Sequence, residues 1–377
     1  MAEPFKNLLN PALVQAMAQH LHRVAPAFDA AGFQAQALPG LETLEMKARS
    51  LQIAAALEAT LPADFDQAAG WLETALAPPW AGDRLGSDHP LLHGLEGWAL
   101  WPVGEFVARR GRAQPERALA TLHALTQRFT AEFAIRPFIA EHPALAFSTL
   151  QRWVADPSAH VRRLVSEGSR PRLPWGLPLK ALVADPAPTA PLLLALQDDT
   201  SEYVRRSVAN HLNDIAKDHP HRVADWLDQH LPGAPEPRRR LLRHASRSLL
   251  KQGHPRVLAA WGLGQAFQGE LAFTLQPAAL RVGDVLQLRV ALHSHGQVPQ
   301  TLAIDYAVHH VKANGSLSPK VFKGWQLTLA PGERRVLEKA HSMKAVTTRR
   351  YHAGEHAVEL LVNGQPLAQQ PFVLALG

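Results

Sequence analysis

The stretch Asp-Pro-Ser-Ala-His-Val-Arg-Arg-Leu-Val at 156–165 returns as Asp-Thr-Ser-Glu-Tyr-Val-Arg-Arg-Ser-Val at 199–208, an offset of 43 residues. A period in the range of about 40–47 residues is that of HEAT-type helix pairs. The flanking residues agree. Val204, Val208, Leu212 and Ile215 recur at helical spacing, as do Leu51, Ile53, Ala54, Leu57 and Leu61 farther upstream. Asp156-Pro-Ser and Asp199-Thr-Ser place capping oxygens ahead of apolar-periodic runs, and Pro220 and Pro255 stand where new helices open. A second echo relates Ala209–Pro220 to His244–Pro255, with Arg239-Arg240 taking the place of Arg205-Arg206. From Pro11 to about Trp261 the chain therefore reads as an array of short helices.

Beyond Phe267 the period changes from helical to alternating. Glu270–Gln276, Val285–His295, Thr301–Val311, Trp325–Leu329, Arg335–Ser342 and Glu355–Val362 alternate apolar with polar residues. Turn chemistry separates them: Val282-Gly-Asp, Asn314-Gly, Pro331-Gly and Asn363-Gly. About seven short strands in this length predict a β-sandwich of Ig-like form. The expected architecture is mainly α, a HEAT-like helical-repeat solenoid over 1–264 followed by an Ig-like β-sandwich over 268–377.

Composition removes several classes of function. The 377 residues contain no Cys, which excludes disulfides, thiolate catalysis and Cys-ligated metals. No apolar run approaches the ~20 residues of a membrane span, and the opening MAEPFKNLLN lacks a basic region followed by an apolar one. A cytoplasmic protein without membrane attachment is expected. The net charge is +6, from 39 Lys+Arg against 33 Asp+Glu, and 29 of the basic residues are Arg. Arg suits bidentate phosphate contacts, so the bias points toward a polyanionic partner, although a GC-rich genome produces the same ratio.

In a stacked array, equivalent positions of successive repeats line one concave surface. Glu132, Glu167 and Asn210 then form a column, and Asp214 points to the same face one turn after Asn210. The Arg pairs 162-163, 205-206 and 239-240 run beside it. Each Arg has two readings, phosphate contact or ion pair within its repeat. Acidic groups on a phosphate-facing surface oppose binding, which makes sense where positive charge develops during a reaction.

At these residues the sequence resembles the HEAT-like-repeat alkylpurine DNA glycosylases of the AlkC/AlkD superfamily, and specifically the AlkC branch. The resemblance spans the helical region through PFKNLLN, LETLEMKARS, GWALWPVGEFVARRG and TAEFAIRPFI, and is most specific in WVADPSAHVRRLVSEGSRPRLPW and TSEYVRRSVANHLNDIAKDHP. It implies a glycosylase acting on double-stranded DNA that carries 3-methyladenine or 3-methylcytosine, as a monomer, without cofactor or metal and without flipping the base. It also implies roles. Asp214 becomes the lead catalytic carboxylate, joined by Glu167 and Glu132. Trp175 becomes the aromatic contact to the lesion or its sugar, and Asn210, His211, Arg163, Arg170 and Arg206 become substrate-binding residues. Trp175 packed as a loop residue under Pro174 is the plainer alternative.

The rival to an enzyme is a non-catalytic HEAT scaffold binding DNA or protein, for which the acidic trio would have no use. A metal hydrolase is not expected. His219-Pro-His221, His293-Ser-His295 and His309-His310 lack a carboxylate at ligand spacing on one helix, and no HExxH is present. Trp98 and Trp101 read as core packing first and as a DNA-facing platform second. His309, His310, Lys312, Lys320 and Lys323 around Asn314-Gly315 read equally as a clamp on the duplex or as a solvated hairpin.

Overall fold

The computed structural model describes residues 4–83, 91–263, 265–346 and 349–376. Gly264, the expected end of the helical domain, lies outside them. The described residues form sixteen α-helices followed by eight β-strands. No helix among them is long and apolar enough to cross a membrane.

The chain divides into two compact units, Met1–His219 with Pro235–Ala245, and Pro220–Ala234 with Ser246–Gly377. In the first unit the repeat noted above becomes two neighbouring helices, Ala159–Gly168 and Glu202–Asp218, packed on each other. Asp156 and Asp199 accept hydrogen bonds from the amides of Ser158 and Ser201, 2.8 Å in both cases, and so turn the chain into each helix. Helix Glu236–Ala245 packs on the far side of Glu202–Asp218. Trp98 and Trp101 stack in an aromatic cluster with Phe129 and Phe133, which is the core-packing reading.

The second unit contains helices Pro220–His230, Arg247–Lys251 and Pro255–Ala260 together with all the strands. The strands are β1 (Gly269–Gln276), β2 (Ala279–Arg281), β3 (Val285–Ser294), β4 (Gln300–Val311), β5 (Leu317–Leu329), β6 (Arg334–Ser342), β7 (Gly354–Val362) and β8 (Gln365–Ala375). They make a three-stranded sheet in the order β1-β3-β6 and a five-stranded sheet in the order β2-β8-β7-β4-β5. Leu286, Leu288, Val290 and Leu292 from one sheet bury against Ile304, Val358, Leu360 and Phe372 from the other. Asn363 and Gly364 both take the left-handed conformation that a two-residue turn between β7 and β8 demands. A Cβ on Gly364 would lie 2.5 Å from the Gly253 Cα, so the helical segment reaches the sandwich at a point where neither residue has room for a side chain.

The alternation rule missed the short β2 and all of β8, and caught only the end of β5. β8 contains Pro366 and Pro371, which break the pattern. Its second neighbour, β2, pairs only with Val373, Leu374 and Ala375, so the prolines sit where that second ladder is absent. β5 runs well ahead of the expected Trp325 start. It is an edge strand in which Pro319, Lys320, Lys323 and Gly324 interrupt the apolar residues, and it bulges at Gly324, where a Cβ would meet the Ile304 carbonyl oxygen at 2.3 Å.

Candidate active site

Helices Ala159–Gly168 and Glu202–Asp218 hold two of the three expected carboxylates, and the turn leading into helix Arg136–Glu141 holds the third, Glu132. All three are nearly out of water: Glu132 is 8% exposed, Glu167 5% and Asp214 1%. Carboxylates at such burial require partners, and here they are cationic. Arg163 donates from Nη1 to Glu132 Oε2 at 2.6 Å and to Thr130 Oγ1 at 2.6 Å, and its Nη2 lies 3.6 Å from Glu167 Oε1. Arg170 donates from Nη1 to Glu167 Oε1 at 2.5 Å, while its Nε and Nη2 both lie 2.7 Å from Asp214 Oδ2. Ser207 Oγ donates to Glu167 Oε2 at 2.6 Å. Lys217 caps Asp214 Oδ1 at 2.8 Å from the surface side, with its own side chain about half exposed.

The network is balanced in charge, three acids against Arg163, Arg170 and Lys217. Burial alone would raise the Glu167 pKa, but Arg163 and Arg170 together with the Ser207 hydroxyl hold it below the ordinary glutamate value. Burial alone would lower the pKa of Arg163, yet the charges of Glu132, Tyr203 and Glu167 and the bond to Glu132 hold it above its ordinary value. Its guanidinium also lies 5.2 Å from the centre of the Tyr203 ring. The result is a set of carboxylates fixed by cationic partners, which cannot reorient without breaking several charge-assisted bonds.

The loop after helix Ala159–Gly168 carries Trp175, which is 79% exposed. The reading in which it packs under Pro174 is therefore set aside. Its φ of 64° is the left-handed conformation, unusual for a bulky residue and a sign that surrounding structure dictates it. The chain on both sides of Trp175 is tied to Arg136. Completely buried, it donates to the carbonyls of Leu177 (2.5 Å), Gly168 (2.9 Å), Arg170 (2.8 Å) and Pro171 (3.3 Å). Burial, with some repulsion from Arg170, pushes its pKa down to about 10, which still leaves it charged at neutral pH. Sequence reasoning missed Arg136 because its partners are backbone carbonyls, which leave no pattern in side-chain spacing. Ser207 was also missed, though the repeat marks it: the equivalent position 43 residues earlier is the core residue Leu164.

The residues expected to touch substrate separate into two groups. Arg163 and Arg170 are tied into the carboxylates as described. His211 is fully buried, with Nδ1 2.9 Å from the Ser166 carbonyl oxygen and Nε2 lacking a protein partner. Burial pushes its pKa down to about 4, so it is neutral and braces the two helices. Arg206 and Asn210 belong to the other group. Asn210 Oδ1 lies 2.9 Å from His244 Nε2, and Arg206 is exposed, 3.3 Å from Glu202. Arg206 lines an open groove with Arg205, Arg240 and His244 between helices Glu202–Asp218 and Glu236–Ala245. Arg162 follows the ion-pair reading, forked on Asp199 at 2.6 and 3.0 Å. In the second unit, His310 of the expected clamp set is buried against Arg349.

Residues 270–376 match the family described as the C-terminal Ig-like domain of the uncharacterised protein YhaZ. The chain is 34% identical over 362 residues to the uncharacterized protein YhaZ of Bacillus subtilis (strain 168), covering 96% of each. It is 36% identical to the Pseudomonas fluorescens alkylpurine DNA glycosylase AlkC, solved bound to DNA containing an abasic site analog, with a TM-score of 0.89 over 99% of this chain and 100% of that one. Similarity of this extent along both units means that the chain belongs to the AlkC family, in the form that carries a C-terminal Ig-like domain.

Proposed function

We propose that this protein is a DNA glycosylase that excises cationic N3-alkylated bases, 3-methyladenine and 3-methylcytosine, from duplex DNA. The observation that carries the reading is the trio Glu132, Glu167 and Asp214, buried and locked by Arg163 and Arg170, with the helix of Asp214 also lining a basic groove. Its relation to AlkC, solved with abasic DNA, supports the same reading.

The chemistry follows from the charge on the lesion. A base alkylated at N3 is cationic, so it departs as a neutral molecule with the electron pair of its bond to C1′. The sugar is left as an oxocarbenium-like cation. Carboxylates already fixed in place stabilise that cation without reorganising. Water then adds to C1′ and gives up a proton, for which Asp214 is the lead acceptor, leaving an abasic site. Trp175, exposed and in the left-handed conformation, contacts the alkylated base or its sugar through its ring face. The lesion remains stacked, and excision relies on its intrinsic lability, so uncharged lesions are poor substrates. Arg206, Arg240, Arg205 and His244 track phosphates along the groove.

The test is direct. Methylated duplex is incubated with tag-free protein in the absence of added metal, and released bases are separated chromatographically. Release of 3-methyladenine or 3-methylcytosine supports the reading. DNA binding without release of either would leave a non-catalytic scaffold.

A further inference from the structure

Strand β3 runs out through His293-Ser-His295. Residues two apart on a strand point to the same side. Leu292 and Ser294 face the core, so His293, half-buried, and His295, exposed, share the outer face of the three-stranded sheet. β1 lies antiparallel to β3 with Glu270 directly opposite His293. One step farther, the His295 amide donates to the Gln268 carbonyl, 2.9 Å away, which carries the pairing past the end of the strand. The carboxylate missing from the linear sequence around these histidines thus arrives across the sheet.

The three side chains converge. His295 Nε2 lies 3.2 Å from His293 Nδ1. Glu270 Oε2 is 3.7 Å from His293 Nδ1, and Oε1 is 3.9 Å from His295 Nε2. The imidazole planes are nearly perpendicular, at 85°. A tetrahedral zinc ion with bonds of about 2.0–2.1 Å holds its ligand atoms about 3.3 Å apart. One ligand atom from each residue lies within 4.8 Å of the others, and rotation of the exposed Glu270 and His295 side chains closes the remaining gap. We propose that Glu270, His293 and His295 form a site for a divalent transition-metal ion of the zinc type. Two imidazoles and one carboxylate favour such an ion over the oxygen-seeking Mg²⁺ and Ca²⁺. Three protein ligands leave a fourth position for water or another donor. β1 is the outer strand of its sheet, so a bound ion staples an edge strand to its neighbour where the sandwich begins. None of the three residues belongs to the carboxylate network of the first unit, and the proposal does not depend on the excision chemistry.

The experiment uses tag-free full-length protein, stripped with chelator and titrated with Zn²⁺ by calorimetry, with bound metal counted after gel filtration. One Zn²⁺ per chain at low-micromolar concentration is expected, with no comparable binding of Mg²⁺ or Ca²⁺. Zn²⁺ should also raise the melting temperature of the β-sandwich by several degrees. His295→Ala and Glu270→Gln should each weaken binding at least tenfold, and neither should change the metal-free melt, because both side chains point to solvent. Failure to bind Zn²⁺ stoichiometrically, or binding undisturbed in His295→Ala, overturns the proposal.

Discussion

Replacing Arg170 by Met takes away the guanidinium that joins Glu167 to Asp214. Three close contacts are lost, at 2.5, 2.7 and 2.7 Å, and Asp214 keeps only Lys217 among the cations paired with it. Both acids are at most 5% exposed, so water cannot replace the lost donors. Breaking a buried pair from one side costs about 3–5 kcal/mol, well above the ~0–1 kcal/mol of an exposed pair. In a unit of this size each kcal/mol moves the melting temperature by roughly 2–4 °C. The first unit of Arg170→Met should therefore melt about 6–20 °C lower than the parent at neutral pH. The loss should shrink on acidification toward pH 5. Where a buried carboxylate has lost one of its cationic partners, protonation removes the unmatched charge, so the folded variant recovers part of the loss as pH falls. Asp214→Asn in the same background should restore part of the loss, giving a coupling of about 1 kcal/mol or more in a double-mutant cycle read by calorimetry. A loss under about 1 kcal/mol with an additive cycle would refute the picture of a locked network.

Other consequences are measurable in the same preparations. His211 has a folded pKa of about 4 against 6.5. Stability should therefore fall by about 1.4 kcal/mol per pH unit from pH 6.5 toward 4 as the unfolded imidazole takes up a proton that the folded one refuses; His211→Gln should flatten that slope, and an unchanged slope would contradict the assignment. Arg206→Ala and Arg240→Ala should each reduce the slope of log affinity against log salt by about 0.9 for damaged and undamaged duplex alike. Arg162→Ala should leave that slope alone and lower the melting temperature, since Arg162 is committed to Asp199. Trp175→Gly should relieve a left-handed φ of 64° and raise stability by about 1 kcal/mol, yet slow excision at least tenfold; unimpaired excision would remove Trp175 from the site.

How much of this was legible in the sequence depends on what each residue pairs with. The helix pair at 159–168 and 202–218 was legible because both its period and its caps are side-chain patterns. The acidic trio was legible through the same register, although Glu132 proves to sit in a turn rather than on a helix. The fate of Arg163 and Arg170 was half-written, since Glu167 stands at i+4 from Arg163 and three residues before Arg170, the spacings at which helical ion pairs form. What linear spacing could not show was which partner wins. Burial decides it, because a carboxylate out of water must be matched while an Arg at the surface need not be. Arg136, the bulge at Gly324 and the meeting of Gly253 with Gly364 depend on backbone approaches between distant segments. The Glu270–His293–His295 cluster depends on strand register, which no helix-based search for ligands would reveal.

The central claim is that the carboxylate network performs the excision, with Asp214 foremost. The measurement that tests it most directly is single-turnover release of 3-methyladenine and 3-methylcytosine from duplex by the parent and by Asp214→Asn, with duplex affinity measured alongside. The substitution nearly preserves shape and removes one negative charge. Release should slow by about two orders of magnitude or more, the scale of losing one preorganised electrostatic group, while affinity for the duplex is kept or improved. Release by Asp214→Asn at close to the parent rate would contradict the account.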